Sequence, residues 1–267
     1  MIQIREKNDS ENWDNILSSF YKSLTSPLDG MWDELIHSHG QLWGFYNEDQ
    51  LIGYCSKDGD GNLINFFLEE KYSNFKTELF KRTLFMLETR QAIVSTNNPD
   101  FLVVSLDRSK KMNVHSYLFE NEKEVEINKP VAAEGLDFGL ATDSDLNNLI
   151  DFCQNNVAAD SNWLKGYLER LIERKEIHFL KNGENIIGSC EIRESLSQTD
   201  FADLGVIVDS TFQRKGIGSW LIAKAKEIAL ANGKTPICSC EYANLGSRKM
   251  IENAGFSSNN MVLKISF

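Results

Sequence analysis

At 267 residues the chain is long enough to bury two modest cores, and its 42% hydrophobic and 25% charged content is that of an ordinary globular protein. A formal charge of −11 disfavours nucleic acid as a partner and suits cationic acceptors such as amines, although surface acids also serve solubility. With no run near the roughly 18 apolar residues of a membrane span, no signal-peptide pattern at the start and five scattered cysteines that suggest no disulfide framework, a cytoplasmic protein without membrane contact is expected.

Residues 2–4 read as an edge strand. Ser10 is placed to cap a helix over residues 10–24, with Trp13, Ile16, Leu17 and Phe20 on one face. Pro27 is placed to start a short helix over residues 27–37. Residues 42–46 and 51–55 form a hairpin, and the turn at residues 58–62 leads into a third strand over residues 63–68. That turn is acidic, but a calcium loop counted from Asp58 needs glycine at its sixth position, where Leu63 stands. A helix over residues 75–91 and a strand over 92–95 follow. Residues 101–106 fit a helix or a strand equally. A strand over 114–120 precedes a charged stretch ending at Pro130, which reads as a linker.

The second half repeats the order. A strand over residues 136–140 precedes Thr142-x-x-Asp145, a capping box with Asp in place of the usual Glu, and a helix to about residue 155. A second helix covers residues 161–174. Strands over 177–181 and 186–193 flank Asn182-Gly183, a hairpin signal. The apolar strand at residues 202–208 runs through a polar turn into Gln213-Arg214-Lys215-Gly216-Ile217-Gly218-Ser219, where a helix begins. Ile217, Leu221, Ala225 and Ile228 give it one apolar face, and Gly233 sits where a C-cap belongs. A strand over 236–241, a helix over 244–253 and a strand over 261–267 close the chain. The common order implies a tandem duplication, with domains at residues 1–130 and 134–267.

The turn at residues 213–219 has the chemistry of an anion site. A helix N-terminus carries unsatisfied N–H groups and partial positive charge, and glycines let an anion reach the backbone. Strand, then Gln-Arg-Lys-Gly-Ile-Gly, then helix resembles the acetyl-CoA pyrophosphate loop of the GNAT N-acetyltransferase superfamily. It differs from both the Rossmann and the Walker glycine patterns. Asn244-Leu245-Gly246-Ser247, the helix after it and Gly255-Phe256 resemble the closing motif of the same superfamily.

The resemblance implies an α/β (α+β) fold of two GNAT-like domains, each a mixed, mainly antiparallel sheet flanked by helices. It implies acetyl-CoA as acyl donor and direct transfer to a primary amine of a small molecule or peptide. The implied donor site comprises Val206, Ile207, Val208, Gln213, Arg214, Lys215, Gly216, Ile217, Gly218, Ser219, Asn244, Ser247 and Arg248. In the family, a backbone N–H of the strand before the loop supports the thioester oxygen, here around residues 206–208. The base is often a carboxylate on that strand or the next, which makes Asp203 and Glu241 candidates. Many members carry a tyrosine seven residues after the asparagine as acid for the leaving thiolate. Here that position is Ile251, so Ser247 or Tyr242 would have to serve, or the thiolate leaves unaided, its pKa being about 8.5. The vacancy also supports an alternative, a non-catalytic acyl-CoA sensor. No metal is expected, because Cys238-x-Cys240 alone makes no closed zinc site and His37-x-His39 needs outside ligands.

The first half carries Glu69-Glu70-Lys71-Tyr72-Ser73-Asn74-Phe75-Lys76 where the loop should be, without glycine and with two acids ahead of it. It reads as a degenerate domain that binds no acetyl-CoA and walls the acceptor side of its partner. A monomer or homodimer is expected, with no nucleic-acid partner.

Overall fold

The chain was analysed as a computed structural model, which describes residues 2–8, 11–34, 36, 40–157 and 161–267. The expected Ser10 cap and the His37/His39 pair lie outside the described residues. In chain order the elements are β1 (Gln3–Glu6), α1 (Asp14–Ser23), α2 (Gly30–Glu34), β2 (Gln41–Asn47), β3 (Gln50–Lys57), β4 (Leu63–Leu68), α3 (Lys76–Met86), β5 (Gln91–Ser95), α4 (Pro99–Leu106) and β6 (Lys111–Asn121). Then come β7 (Asp137–Leu140), α5 (Leu146–Asn156), α6 (Ser161–Glu173), β8 (Ile177–Asn182), β9 (Asn185–Glu194), β10 (Phe201–Val208), α7 (Ile217–Ala231), β11 (Thr235–Glu241), α8 (Leu245–Asn253) and β12 (Phe256–Ser266). No described helix is long and apolar enough to cross a membrane.

The chain folds as two compact units, each discontinuous in sequence. The first holds Met1–Leu118, Glu241–Ala243 and Asn259–Phe267; the second holds Phe119–Cys240 and Asn244–Ser258. Each is a mixed, mainly antiparallel sheet flanked by helices.

In the first unit β1 to β4 form an antiparallel meander, β4 meets β5 in parallel at Leu63 and Ala92, and β5 pairs antiparallel with β12 from Ser95–Val262 to Gln91–Ser266. The last strand of the chain thus completes the sheet of the first unit. Leu263 and Ile265 point into a core built on Phe45, Phe66, Phe80 and Phe101. Burying such a side chain contributes about 1.5–3 kcal/mol. A second apolar layer holds Trp13, Phe20, Tyr54 and Phe67, joined edge-on as Trp13–Tyr54, Tyr54–Phe20 and Phe20–Phe67.

In the second unit β7, β8, β9 and β10 are antiparallel neighbours, and β10 runs parallel to β11. Helices α5 and α6 cover one face through Leu149, Phe152, Leu164 and Leu168, with Ile207 packed against them. Helix α7 covers β9 and β10 through buried Ile217, Leu221 and Ala225.

Local chemistry accounts for several boundaries. The Thr142–Asp145 capping box is present and closes a 3₁₀ turn that feeds α5. The segment at residues 101–106 is helical because Asn98 accepts from the Phe101 N–H at 3.2 Å and Pro99 occupies the first turn. The helix expected over residues 75–91 is shorter: a 3₁₀ turn takes Glu70–Phe75, and Glu88 with φ 51° ends the helix. Pro27 starts no helix; α2 begins at Gly30, after buried Asp29, whose carboxylate accepts from the Met31 N–H at 2.9 Å. The expected linker starts later, because β6 runs to Asn121 and the Gly255 carbonyl then accepts from the Glu122 and Lys123 N–H groups.

Candidate functional site

The site begins with a parting of strands. The β10–β11 ladder covers only Phe201–Asp203 against Thr235–Ile237, while β10 continues against β9 to Val208. The Asp209 N–H bonds the Ile187 carbonyl, and in an antiparallel ladder the orientation alternates residue by residue. Residues 203, 205 and 207 therefore bond β9, and the N–H groups of Val206 and Val208 face the open edge. Two strand donors point into the gap left by β11.

At the end of β10 the chain turns through Asp209, whose carboxylate accepts from the Thr211 N–H at 2.9 Å. The next residues alternate in handedness: Arg214 has φ 59° and Gly216 has φ 83°. Such alternation curls successive N–H groups around a concavity suited to an anion. Gly216 is the N-cap of α7, and the first intrahelical bond runs from the Trp220 N–H to the Gly216 carbonyl. The Ile217, Gly218 and Ser219 N–H groups thus belong to the first turn, which has no acceptors within the helix. At Gly218 a Cβ would lie 2.7 Å from Met250 Sδ, so glycine there lets α7 and α8 approach.

Helix α8 closes the other wall. Asn244 caps it, accepting from the Ser247 N–H at 3.0 Å. Between these elements lies a groove of about 700 Å³, lined by Val206, Ile207, Val208, Gln213, Arg214, Gly216, Gly218, Ser219, Asn244 and Ser247. These ten residues come from the sequence-derived donor set. Lys215 points elsewhere, donating to the Thr211 carbonyl at 2.9 Å with its ammonium over Phe212. Ile217 is core, and Arg248 pairs with Glu252 at 2.8 Å. The groove also takes Asn156 and Val157, which no local pattern marked, and Gly246, Lys249, Met250 and Asn253, which belong to the closing motif but lie outside the sequence-derived donor set. Among the described residues, Arg214 and Lys249 are its charged lining residues and none is a carboxylate.

The proposed catalytic side chains are dispersed. Asp203 is 2% exposed and accepts from Arg193 Nη2 at 2.5 Å. Glu241 is exposed at the end of β11, and Ile251 is buried. Tyr242 stacks on Tyr117 in the first unit. On the α6 side of β9, Tyr167 donates to Glu191 Oε2 at 2.5 Å, and Arg193 Nη1 donates to the Tyr167 hydroxyl at 3.1 Å. Burial and then the Glu191 charge push the Tyr167 hydroxyl well above its usual value, so it stays a donor.

The first unit treats the same positions differently. Residues 69–76 contain no positive φ and wind into the 3₁₀ turn, and Lys71 pairs with Glu69 at 3.0 Å. Asn98 caps α4 as Asn244 caps α8, but it is buried and donates to Asn65 of β4 at 3.1 Å.

Two family models match the sequence, an acetyltransferase (GNAT) domain over residues 9–122 and the acetyltransferase (GNAT) family over residues 145–256. No curated protein matches the chain. Among solved structures, a GNAT-family acetyltransferase from Colwellia psychrerythraea is similar over 99% of each chain, at 27% identity and a TM-score of 0.92. A GCN5-related N-acetyltransferase from Sphaerobacter thermophilus is similar over 98% of this chain and 94% of its own, at 11% identity and a TM-score of 0.70. A tandem GNAT protein from the clavulanic acid biosynthesis pathway is similar over 100% of this chain and 98% of its own, at 8% identity and a TM-score of 0.64. The last two likenesses concern the fold alone. The chain belongs to the GNAT acetyltransferase superfamily and carries two GNAT domains in tandem.

Proposed function

We propose that the second unit is an acetyl-CoA-dependent N-acetyltransferase that acts on a primary amine of a small molecule or peptide by direct transfer, and that the first unit is a degenerate domain without donor binding. The observation that carries this reading is the concave backbone from Arg214 to Ser219 beside the parted edge of β10. The first-turn N–H groups of α7 and the Arg214 guanidinium suit a pyrophosphate, and Val206, Ile207, Val208 and Met250 suit the less polar arm of the donor. The Val206 and Val208 N–H groups suit the thioester oxygen, where charge develops as the amine attacks.

Gly216→Glu tests the donor site. A carboxylate at this turn would occupy and repel the pyrophosphate position, so calorimetry should find acetyl-CoA binding abolished in a variant that still folds. Unchanged affinity would remove the turn from the site. Thiol release from acetyl-CoA across an amine panel tests the activity.

A second reading, a non-catalytic acyl-CoA sensor, draws on Ile251. It stands where many family members have the tyrosine acid, and it is 2% exposed. Tight acetyl-CoA binding without thiol release on any amine would favour the sensor.

A further inference from the structure

We propose that Glu191 takes the proton of the acceptor amine, held for that task by Tyr167 and by the Arg193–Asp203 pair; the assignment rests on the acetyltransferase reading above.

The placement follows from register. Glu191 of β9 pairs with Gly205 of β10. A Cβ on Gly205 would lie 3.1 Å from Glu191 Oε2, so the carboxylate leans over bare backbone. Any larger residue at 205 would push it away. Gly205 directly precedes Val206, whose N–H faces the groove, and it shares a face with Ile207, which lines the groove. The carboxylate therefore stands beside the end of the groove that the Val206 donor serves. It is 8% exposed, sheltered by α6 but reachable.

Its polar neighbours hold it in place. Tyr167 occupies Oε2, leaving Oε1 to accept a proton. Arg193 Nε is 3.7 Å from Oε2, yet its Nη2 is engaged by Asp203 at 2.5 Å, so a second carboxylate offsets the guanidinium. Asp203 is thus a positioning residue. Among the described residues, the other titratable groups that feel the Glu191 charge are the thiols of Cys153 on α5 and Cys190 on β9. Burial first, and the Glu191 charge second, push both upward, so they stay neutral through the working range. Trp163 stacks on Tyr167 with centroids 4.7 Å apart and is 55% exposed, an aromatic surface beside the approach to the carboxylate.

The step balances. An ammonium acceptor gives one proton to Glu191 Oε1 and becomes a neutral amine. Its lone pair forms the C–N bond to the thioester carbonyl carbon, and the carbonyl oxygen takes the displaced electron pair. Collapse breaks the C–S bond and leaves the pair on sulfur. The second nitrogen proton goes to the thiolate, giving an amide and free thiol, and Glu191 returns its proton to water.

The test uses the full chain, acetyl-CoA, and the fastest acceptor among spermidine, glucosamine and an unblocked peptide. Glu191→Gln keeps the shape and removes the base. The expected result is a kcat about 100-fold lower near pH 7 or more, with acetyl-CoA affinity unchanged. The deficit should shrink about tenfold per pH unit as the bulk amine deprotonates, a trend that a purely structural role would not produce. A loss under threefold, or a ratio constant with pH, overturns the assignment. Should Glu191→Gln not fold, Tyr167→Phe decides: a several-fold fall in kcat at unchanged KM for acetyl-CoA supports it, and an unchanged kcat overturns it. Acetyl-CoA binding without turnover of any amine by the wild type would remove the enzyme reading and this assignment with it. Turnover that ignores Glu191→Gln would remove the assignment alone.

Discussion

Arg214 offers two effects that a single position can separate. Its φ of 59° lies in the left-handed region, where a non-glycine residue costs about 1–2 kcal/mol. Its side chain lines the groove, with Lys249 the other cation among the described lining residues. Arg214→Gly removes strain and charge together; Arg214→Ala removes the charge and keeps the strain. The glycine variant should therefore be the more stable of the two by about 1 kcal/mol, a gap of about 2–4 °C in Tm for a cooperative unit of this size. Both should lose donor affinity equally. A charge-assisted contact is worth about 1.5–3 kcal/mol, and the exposure of Arg214 argues for the lower end, roughly tenfold in Kd. Calorimetry with acetyl-CoA at low and high salt, with thermal unfolding of both variants, reads the two effects apart. Equal Tm values would refute the strain argument. Unchanged Kd in both variants would take Arg214 out of the donor site.

Three further outcomes are expected. Calorimetry should count one acetyl-CoA per chain, because the loop at residues 69–76 lacks the required curvature; two sites would contradict the degenerate reading of the first unit. Ile265→Ala should cost about 2–5 kcal/mol, since Ile265 is fully buried, and should speed amide exchange in β3 to β5 while leaving α7 protected; exchange that quickens only in α7 would contradict the strand assignment. Burial raises the Asp145 carboxyl, but the Lys181 ammonium and the Thr142 N–H and hydroxyl outweigh it, so the net shift is downward. Its contribution is then complete above the ordinary value of about 3.9 and is lost as pH falls through the lower folded value. The Tm gap between wild type and Asp145→Asn should be constant above about pH 5 and close below about pH 4, whereas a gap that widens on acidification would refute the sign.

What could be read from the sequence was mostly what neighbouring residues decide together. The hairpin at Asn182-Gly183, the Thr142–Asp145 box and the loop at residues 213–219 each carry their cause within a few positions. Residues 101–106 fit either element because Phe101–Val104 is a short apolar run without a period; the cap at Asn98 and the proline after it hold the answer. Glu191 escaped notice because its significance depends on Gly205, and only the ladder register brings the two together. Asp203 suggested a base from its strand position, but the partner that engages it, Arg193, sits on the neighbouring strand. The pairing of β12 with β5 joins residues 95 and 262, and no local pattern announces a contact at that separation.

That pairing sets a timetable for synthesis. The strand that completes the first sheet emerges 167 residues after Ser95, the position it must meet. At about 5–20 residues per second the wait is roughly ten to thirty seconds. Throughout it, the edge of β5 with buried Ala92 and Val94 has no partner from its own unit, and an open apolar edge invites strands from other chains. The second unit, whose sheet strands β7 to β11 emerge consecutively, can form its ladders during the wait. The unit whose first strands are made first thus waits for the last strand of the chain.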